Sequence, residues 1–410
     1  MEKPKIRFKG YQEDWEQRKL SELATMHARI GWQNLRTSEF LDAGDYMLIT
    51  GTDFEDGKVN YSTCHYVEKE RYDQDKNIQI KNGNILITKD GTLGKVAYVE
   101  GLSLPATLNA GVFNVEVKDE NETDSKYLFQ FLKAPFLMDY VSKKATGGTI
   151  KHLNQNILVD FPIATPSRAE QVRIGEYFST LDDLITLHQR KCEEMKTLKK
   201  YMLQKMFPQN GQSVPQIRFS GFTEDWEQRK LGEVFKEYSE KNHTELPALT
   251  IIQGGGTVKR EESDRNLMYD ESNLSNYKMV RKDDFIVHLR SFEGGLEKSL
   301  LDGIISPAYH TFHSDVADSR FYYPYFRSHE FIKHKLVPHV YGIRDGRSID
   351  IAGMKTIEIP YTSIEEQRKI GDYLESLDHL ITLHHRKYMK NIDLSLFVGN
   401  SVSCQMWLIL

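Results

Sequence analysis

Two blocks of this sequence occur twice in the same order, and this duplication restricts the possible architectures more than any other feature. The block IRFxGxxEDWEQRKL starts at residue 6 and again at residue 217, an offset of 211. The block EQVRIGEYFSTLDDLITLHQRK at 170–191 returns as EQRKIGDYLESLDHLITLHHRK at 366–387, an offset of 196. We call these two blocks the repeated frame. Because they recur in order, the 410 residues form a tandem duplication with units of about 200 residues each.

The segments inside the frame, residues 21–165 and 232–361, barely resemble each other, and we call them the first and second inserts. A shared frame around diverged inserts predicts that the frame has one common role while the inserts have different ones. A decayed duplication without any division of labour is the alternative.

The second block of the frame predicts a long helix with a nonpolar seam in each repeat. Steps of four and three residues separate the seam positions, which is the heptad spacing of a coiled coil. These positions are Ile174, Phe178, Leu181 and Ile185 in the first repeat and Ile370, Leu374, Leu377 and Ile381 in the second. We expect the two helices to pack as an antiparallel coiled coil that separates two globular domains with pseudo-two-fold symmetry. Alternatively, each helix packs only on its own domain.

Short β-branched runs separated by glycines predict strands in both inserts. In the first insert they lie at 46–50, 84–99 and 110–117 and precede a predicted helix at 125–144. In the second insert they lie at 248–255, 284–291 and 304–313 and precede a predicted helix at 320–336. The inserts are therefore predicted to be mixed α/β (α+β) domains with their elements in the same order.

Charge and cysteine content limit the class of protein. The 54 Lys and Arg residues against 59 Asp and Glu residues give a formal net charge of −5, which argues against a polybasic nucleic-acid binder but leaves local basic faces open. Three widely separated cysteines without a CxxC pair support neither a disulfide framework nor a cysteine zinc site. The charged N-terminus has no apolar signal core, and no run of 18 apolar residues occurs. We expect a soluble cytoplasmic protein.

Motifs that carry catalysis are missing from the sequence. It has no GxxxxGK[ST] phosphate loop, no HExxH, no GxSxG and no His/Cys cluster with metal-ligand spacing, so no catalytic residue and no metal site is predicted. Asp53, Glu55, Asp56 and Lys58 resemble a nuclease carboxylate set, but we interpret them as an acidic turn. The glycine run at 254–256 is predicted to be a turn, and the seam residues His188 and His384 to be packed polar residues. A DNA adenine methyltransferase or nuclease, or a protein-binding scaffold, are the alternative functions.

Glycine-rich loops with polar and basic residues occur at corresponding places in both inserts. Glycine permits close approach to a phosphate, while Lys, Arg, Asn and Gln can bind base edges in the major groove. The loops are KDGTLGK (89–95), GGTIKHLNQ (147–155), LRSFEGGLEK (289–298) and GIRDGRS (342–348). The candidate DNA-binding residues are Lys89, Thr92, Lys95, Thr149 and Lys151 in the first insert and Arg290, Ser291, Lys298, Arg344 and Arg347 in the second.

The ordered set of motifs resembles the specificity subunit of a type I restriction–modification enzyme over residues 5–388. The DWEQRKLxE segments at Trp15 and Trp226, ILITKDGTLGK, RSFEGGLEKSLLDGIISPAY, GGTIKHLN and the paired helix openings at 168–178 and 363–374 carry this resemblance. The resemblance implies target recognition domains at 1–165 and 209–361, conserved spacer helices at 166–208 and 362–390, and an atypical tail at 391–410.

The resemblance also implies a function and a set of partners. Each target recognition domain would bind one half of a bipartite site in double-stranded DNA, and the helix seam residues named above would dock two modification (methyltransferase) subunits. The specificity subunit would carry no catalytic site and no cofactor. S-adenosylmethionine would belong to the modification subunits, and ATP with Mg to the restriction (translocase and endonuclease) subunits. No membrane partner is implied.

The C-terminal end departs from the repeat. The first helix continues as RKCEEMKTLKKYMLQKMFPQ at 190–209, whereas the second continues as KYMKNIDLSLFVGNSVSCQMWLIL, without Lys or Arg from Asn391 onward. We expect the basic helix to be lost there, which would weaken the docking of one modification subunit. Alternatively, the tail folds against the first helix as an irregular cap.

Overall fold

The computed structural model describes residues 4, 6–144, 152–209, 212–263, 271–342 and 348–403, with the side chains of Trp32, 271–272 and 396–403 left aside. The chain divides into two compact units. Unit 1 comprises Met1–Gln189 with His385–Leu410, and unit 2 comprises Arg190–His384. Both long helices therefore contribute to both units.

Unit 1 is built on two sheets. Its strands are β1 (Glu16–Lys19), β2 (Ala24–Ala28), β3 (Tyr46–Ile49), β4 (Phe54–Glu55), β5 (Lys58–Val59), β6 (His65–Val67), β7 (Gln79–Ile80), β8 (Ile85–Thr88), β9 (Val96–Tyr98), β10 (Ala106–Leu108), β11 (Val112–Val117) and β12 (Pro162–Thr165). Its helices are α1 (Leu20–Leu23), α2 (Lys69–Asp73), α3 (Ser125–Lys133), α4 (Phe136–Lys144), α5 (Gln155–Leu158) and the first part of α6 (Arg168–Lys205). The sheet orders are β2-β11-β8-β9-β5-β4 and β6-β3-β10-β7, while β1 pairs with β12.

Unit 2 repeats the central part of this topology. Its strands are β13 (Glu227–Lys230), β14 (Lys236–Tyr238), β15 (Leu249–Ile252), β16 (Gly256–Lys259), β17 (Lys278–Val280), β18 (Phe285–Val287), β19 (Glu297–Lys298), β20 (Gly303–Ile305), β21 (His310–His313), β22 (Val340–Tyr341), β23 (Ser348–Ile349) and β24 (Glu358–Tyr361). Its helices are the last part of α6 (from Arg190), α7 (Leu231–Val234), α8 (Ser291–Gly294), α9 (Ser319–Phe326), a π-helix (Glu330–Leu336), α10 (Ile351–Met354) and the first half of α11 (Ile364–Ser403), up to His384.

The two inserts share a sheet order despite their different sequences. The order β14-β21-β18-β19 in unit 2 matches β2-β11-β8-β9 in unit 1, and every neighbouring pair in both is antiparallel. The pair β17-β20 likewise corresponds to β7-β10. The predicted mixed α/β class, with elements in the same order, is therefore confirmed.

Each sheet packs against helices around its own apolar core. In unit 2 the core contains five phenylalanines that are at most 1% exposed: Phe285, Phe312, Phe321, Phe326 and Phe331. Burial of one such side chain contributes roughly 1.5–3 kcal/mol. Unit 1 has an equivalent core in which α3 and α4 cover the sheet.

Both predicted insert helices are interrupted. The helix expected at 125–144 is divided into α3 and α4 because Pro135 lacks the backbone N–H that a continuous helix needs. The helix expected at 320–336 is divided into α9 and the π-helix over Glu330–Leu336.

The long helices combine the two packing arrangements that the seam allowed. Ile174 lies in the core of unit 1, and Ile370 and Leu374 lie in the core of unit 2, so the start of each helix packs on its own domain. Within unit 2 the two helices also meet. Lys199 Nζ lies 2.5 Å from Asp378 Oδ1, and Cys192 Sγ lies 3.9 Å from the carbonyl oxygen of Ile381, so the helices are antiparallel there.

The helix α11 does not end where the repeat departs. It continues to Ser403, so the expectation that the helix is lost after residue 390 is wrong. A helix is possible here even without basic residues, because residues 394–398 read LSLFV and contain no proline, the residue that most strongly disfavours a helix.

Candidate nucleic-acid interface

A glutamate at the start of each long helix anchors that helix to the first block of the repeated frame. In unit 1 the buried Glu170 accepts hydrogen bonds from Arg7 Nε and Nη2, both at 2.7 Å, and from Trp15 Nε1 at 3.2 Å. In unit 2 the buried Glu366 accepts hydrogen bonds from Arg218 at 2.6 and 2.8 Å and from Trp226 Nε1 at 3.1 Å. The hydrogen bond to the carboxylate raises the pKa of each arginine further.

The glutamine that follows each glutamate completes the anchor. Gln171 accepts a hydrogen bond from the backbone N–H of Asp124 at 2.9 Å, and Gln367 accepts one from Asp318 at 2.9 Å. Asp124 and Asp318 are the N-caps of α3 and α9. The EQ dipeptide of the frame therefore fixes the equivalent helix in each insert, which explains why it recurs where the inserts diverge.

In unit 1 the first candidate loop connects the hairpin strands β8 and β9. The buried Thr88 closes it, since its Oγ1 accepts a hydrogen bond from Lys95 N at 2.9 Å and donates one to Thr92 O at 2.5 Å. Gly94 has a φ of +71°, and a Cβ there would overlap the sulfur of Met138. The turn is thus held at its base, while the side chains of Thr92 and Lys95 are exposed.

The same hairpin loop contacts the described end of the second candidate loop. Leu153 N donates to Lys89 O at 2.9 Å, and His152 Nδ1 lies 2.5 Å from Asp90 Oδ1. Lys89 itself is half-buried, with its Nζ 5.5 Å from the centroid of the Phe113 ring. The structure therefore brings the two candidate loops of the first insert together at one edge of the sheet.

In unit 2 the equivalent loop connects β18 and β19 and contains α8. Arg290 is exposed at its tip. Gly295 has a φ of +83°, and a Cβ there would overlap the backbone of Phe326, so only glycine fits. Burial lowers the pKa of His288 at the start of this loop, which keeps its imidazole neutral at physiological pH.

Two candidate residues of this loop have side chains that face inward. Ser291 is fully buried, and its Oγ accepts a hydrogen bond from His288 N at 2.9 Å. Lys298 is only 8% exposed and lies 3.2 Å from Asp283 Oδ1. Both residues hold the loop in place, so we remove them from the candidate contact set. The sequence could not distinguish them from exposed polar residues because both lie in a polar, glycine-containing run.

The remaining candidates cannot be placed. Thr149 and Lys151 of the first insert, and Arg344 and Arg347 of the second, lie outside the described residues. The flanks of the latter loop are described: Val340 pairs with Ile349, and Tyr341 with Ser348, as a two-stranded ribbon.

Most of the seam residues are buried within the chain. Ile174, Leu181, Ile370, Leu374 and Leu377 are at most 9% exposed, and the half-buried Phe178 packs against the core of unit 1. Ile185 and Ile381 are half-buried. A different set of leucines is exposed on the same helices, one step off the seam: Leu184, Leu187, Leu380 and Leu383, at 37–42%. Their recurrence at the offset of 196 was the sequence signal for this face.

The remaining motif predictions concern turns and metals. Gly254 and Gly255 form the predicted turn between β15 and β16, with Gly255 N donating to Ile252 O at 2.9 Å, and Gly256 begins β16. Asp53 is buried and accepts hydrogen bonds from Thr50 N at 2.8 Å and Thr63 Oγ1 at 2.8 Å, which is a structural role.

Across the ranges that the structure describes, no three His, Cys, Asp or Glu side chains are grouped to hold a metal ion. None of the described helices has the length and apolar character needed to cross a membrane.

Comparison with known proteins decides the family. The family model for the type I restriction modification DNA specificity domain matches residues 12–197 and, a second time, residues 223–390. The chain belongs to this family. The two matches coincide with the two repeats of the frame, so the family domain is present twice, and the resemblance seen in the sequence is confirmed.

Individual relatives agree with this assignment. The MjaVIII type I restriction enzyme specificity subunit of Methanocaldococcus jannaschii is 27% identical over 76% of this chain and 76% of its own length. The putative MjaX specificity subunit of the same organism is 25% identical over 92% of this chain and 89% of its own length. The crystal structure of a type I restriction–modification S subunit from M. genitalium has the same fold, with a TM-score of 0.61 at 15% identity over 97% of this chain and 98% of that one.

Proposed function

We propose that each unit of this specificity subunit binds one half of a bipartite DNA site through its β8–β9 or β18–β19 hairpin loop. The observation that carries the proposal is that one sheet order supports both hairpins while their loops differ in length, sequence and structure. A constant scaffold with variable loops is the arrangement by which proteins change specificity without changing fold. Because the two loops differ, the two half-sites would differ as well.

In unit 1 the hairpin loop offers groups suited to both kinds of DNA contact. Lys95 and Thr92 are exposed beside a tight glycine turn, which suits contact with a phosphate or a base edge. The carboxylate of Asp90, beside the turn, lies 2.5 Å from His152 Nδ1 of the second loop, so its position is fixed within the loop pair. Lys89 supports the loop, because its Nζ lies over the Phe113 ring and its carbonyl oxygen accepts a hydrogen bond from Leu153 N. It would therefore contribute less to DNA contact than Lys95 and Thr92.

In unit 2 Arg290 is the corresponding exposed group. A guanidinium can bind the O6 and N7 of guanine with two hydrogen bonds, and such a contact contributes roughly 1–3 kcal/mol of discrimination against another base. Ser291 and Lys298 would position this loop through their buried contacts with His288 N and Asp283. The unit 2 half-site is therefore the better place to expect a guanine.

The exposed leucines of the long helices support a second part of the proposal. Leu184 and Leu187 in unit 1 and Leu380 and Leu383 in unit 2 give each unit the same apolar pair on a solvent face. Residues three positions apart are neighbours on a helix surface, so each pair forms contiguous exposed apolar surface, the kind of surface that marks docking sites on soluble proteins. We propose that each pair docks one modification (methyltransferase) subunit, so that two identical subunits bind one chain.

The chain would then act as a non-catalytic recognition subunit, with α6 and α11 as the spacer between half-sites. S-adenosylmethionine would be held by the modification subunits, and ATP with Mg by the restriction subunits. The formal charge of −5 fits a division of labour in which partner subunits supply part of the contact with the DNA backbone.

Selection of DNA sites tests the proposal directly. The chain, assembled with its modification subunits, is incubated with a library of randomised duplexes, and the bound duplexes are sequenced. The proposal predicts two short conserved half-sites separated by a gap of fixed length and unconserved sequence. A single contiguous site, or retention without any sequence preference, would contradict it.

A further inference from the structure

A second loop of the first insert leaves the sheet of unit 1 beside the β8–β9 hairpin loop. It comprises residues 30–38, shortly after β2, and we call it the β2 loop. In the antiparallel register, Ala28 at the end of β2 pairs with Phe113, and Thr88 at the end of β8 pairs with Val112. Both loops therefore begin at the same end of the sheet, with β11 between their strands. Two strand spacings separate their bases by about 10 Å, which is within the roughly 12 Å width of a DNA major groove.

Arg29, which is only 2% exposed, fixes the base of the β2 loop. Its Nε donates a hydrogen bond to Leu108 O at 2.8 Å, and its Nη2 donates one to Thr107 Oγ1 at 3.1 Å, both in β10. Its Nη1 donates one to Gln33 O of the loop at 3.4 Å. The loop turns tightly at this contact, since Gln33 N donates to Ile30 O at 2.8 Å. The guanidinium therefore ties the loop to the second sheet, so that the residues after Gln33 start from a fixed base.

Among the described residues, the hydrogen bonds of Arg29 reach no carboxylate. Its acceptors are two carbonyl oxygens, one hydroxyl and Gln74 Oε1, all of them neutral. Glu39, which follows the loop, accepts hydrogen bonds instead from Arg71 Nε and Arg36 N, both at 2.7 Å. Burial lowers the pKa of Arg29, and the neighbouring Arg71 lowers it further, but a guanidinium stays protonated in proteins. Because buried charges are normally paired, this positive charge at the base of the loop favours the approach of a polyanion such as DNA.

The β2 loop exposes side chains that can bind DNA. Four polar residues of the loop are exposed: Asn34, Arg36, Thr37 and Ser38. An asparagine amide can bind N6 and N7 of adenine, and a guanidinium can bind O6 and N7 of guanine, each with two hydrogen bonds. Hydroxyl groups are common partners of phosphate oxygens. Residues 30–38 contain no Asp or Glu, so the loop itself brings no carboxylate towards the DNA backbone.

The counterpart of the β2 loop in unit 2 has a different chemistry. It follows β14 and begins at the equivalent end of its sheet, because β14 and β18 both end beside the start of β21. Its residues 239–247 read SEKNHTELP, and Glu240 is bound there by Arg281. The two inserts therefore differ at this loop as they differ at the hairpin loops, and variable loops on a constant scaffold are where binding specificity is found.

We propose that the β2 loop is a second DNA-reading element of unit 1, in which Asn34 and Arg36 contact base edges of the half-site that the β8–β9 loop also contacts. Arg29 is its positioning residue, because it holds the loop against β10 and contacts no base itself. This inference rests on the proposed function and names further residues that decide which bases unit 1 prefers.

Selection from randomised duplexes, with the chain assembled with its modification subunits, tests the inference. The unit 1 half-site is first assigned as the one that an exchange of residues 232–361 leaves unchanged. Asn34→Ala and Arg36→Ala should each lower the preference for one base of that half-site by roughly 5- to 150-fold, the range of one good bidentate contact. The unit 2 half-site and the gap should stay the same. Asn121→Ala and Lys118→Ala are the matched controls, because these exposed residues follow β11 at the opposite end of the sheet and should leave the selected site unchanged.

Two results would overturn the inference. One is that both loop variants keep the wild-type base preferences. The other is an equal weakening for all duplexes, because that result means contact with phosphates alone. If Lys95→Ala changes the unit 1 half-site while the loop variants do not, the inference fails and the proposed function stands. If the wild-type complex selects no bipartite site, both fail.

A double-mutant test separates the positioning role of Arg29 from a purely structural one. Arg29→Lys keeps the charge but loses the forked hydrogen bonds of the guanidinium. It should weaken the same base preference as Arg36→Ala, and the two changes together should lose no more preference at that base than Arg36→Ala alone, because both act through one contact. A loss of stability or of overall affinity with unchanged base preferences would overturn the positioning role.

Discussion

The buried carboxylate of the frame gives the sharpest stability prediction. Replacing Glu366 by Ala removes the acceptor for both guanidinium hydrogen bonds of Arg218, at 2.6 and 2.8 Å, and for the Trp226 indole at 3.1 Å. Glu366 is fully buried, and the Arg218 side chain is only 11% exposed, so water does not replace the lost partner. Removing one partner of a buried ion pair costs about 3–5 kcal/mol.

Hydrogen–deuterium exchange measures this loss in each unit separately. Since 1.4 kcal/mol is a tenfold change in an equilibrium constant, core amides of unit 2 should exchange on the order of 10²- to 10³-fold faster in Glu366→Ala. Peptides of β2, β8 and β11 in unit 1 should be unchanged and serve as the internal control. The variant Glu170→Ala should give the reverse pattern, because Glu170 makes the same contacts with Arg7 and Trp15. Less than a tenfold change, or equal acceleration in both units, would refute the reasoning.

Three further predictions address the interface, docking and pH. Lys95→Ala and Arg290→Ala should each weaken DNA binding by the assembled complex, measured by fluorescence anisotropy. Where the lost contact is with a phosphate, the slope of log affinity against log salt concentration should fall in magnitude by about 1. Replacing Leu184 and Leu187 together by Ser should reduce the bound modification subunits from two to one, measured by native mass spectrometry. Partial burial lowers the pKa of His313, but its ring N–H groups donate hydrogen bonds to the carboxylates of Asp284 and Asp315, and the net effect is a raised pKa. The stabilisation of unit 2 by His313 should therefore be full below about pH 6.5 and be lost as pH rises through the raised pKa. The free energies of unfolding in urea of the wild type and of His313→Gln should converge above that pKa.

Each of these predictions has its own control. Lys81 and Lys282 lie at the opposite ends of β8 and β18 from the loops, so Lys81→Ala and Lys282→Ala should leave DNA affinity unchanged. Equal losses at both ends of the hairpins would remove the loops from the interface. Thr186→Ser, between the two leucines, should keep both modification subunits. A wild-type advantage over His313→Gln that grows with pH would contradict the assigned sign.

The sequence predicted the parts of the fold that repetition or periodicity encodes. The frame and the long helices followed from recurring residues and heptad steps, and the order of strands along each insert followed from β-branched runs separated by glycines. The repeat did not predict that α11 continues to Ser403, because the repeated residues end earlier. The absence of proline from residues 391–403 was the sequence signal for this continuation. The break at Pro135 could have been predicted from its missing N–H.

The site was less predictable because local sequence does not reveal which polar groups face inward. Ser291 and Lys298 lie in the same polar run as Arg290, yet their partners, His288 N and Asp283, are defined by the fold of the hairpin. Glu170 and Glu366 were visible as repeated residues, but their bonds to Arg7 and Arg218 bridge 163 and 148 positions of the chain. Such long-range pairings require the tertiary structure.

An exchange of one insert tests the central claim most directly. Residues 232–361 are replaced by the corresponding insert of another specificity subunit, and the chimera is expressed with its modification subunits in a host that lacks methylation of its own. Sequencing of the methylated genome then gives the target site. The account predicts that one half-site changes while the other half-site and the gap stay the same. A change in both half-sites, or loss of all methylation by a chimera that still folds and assembles, would contradict it.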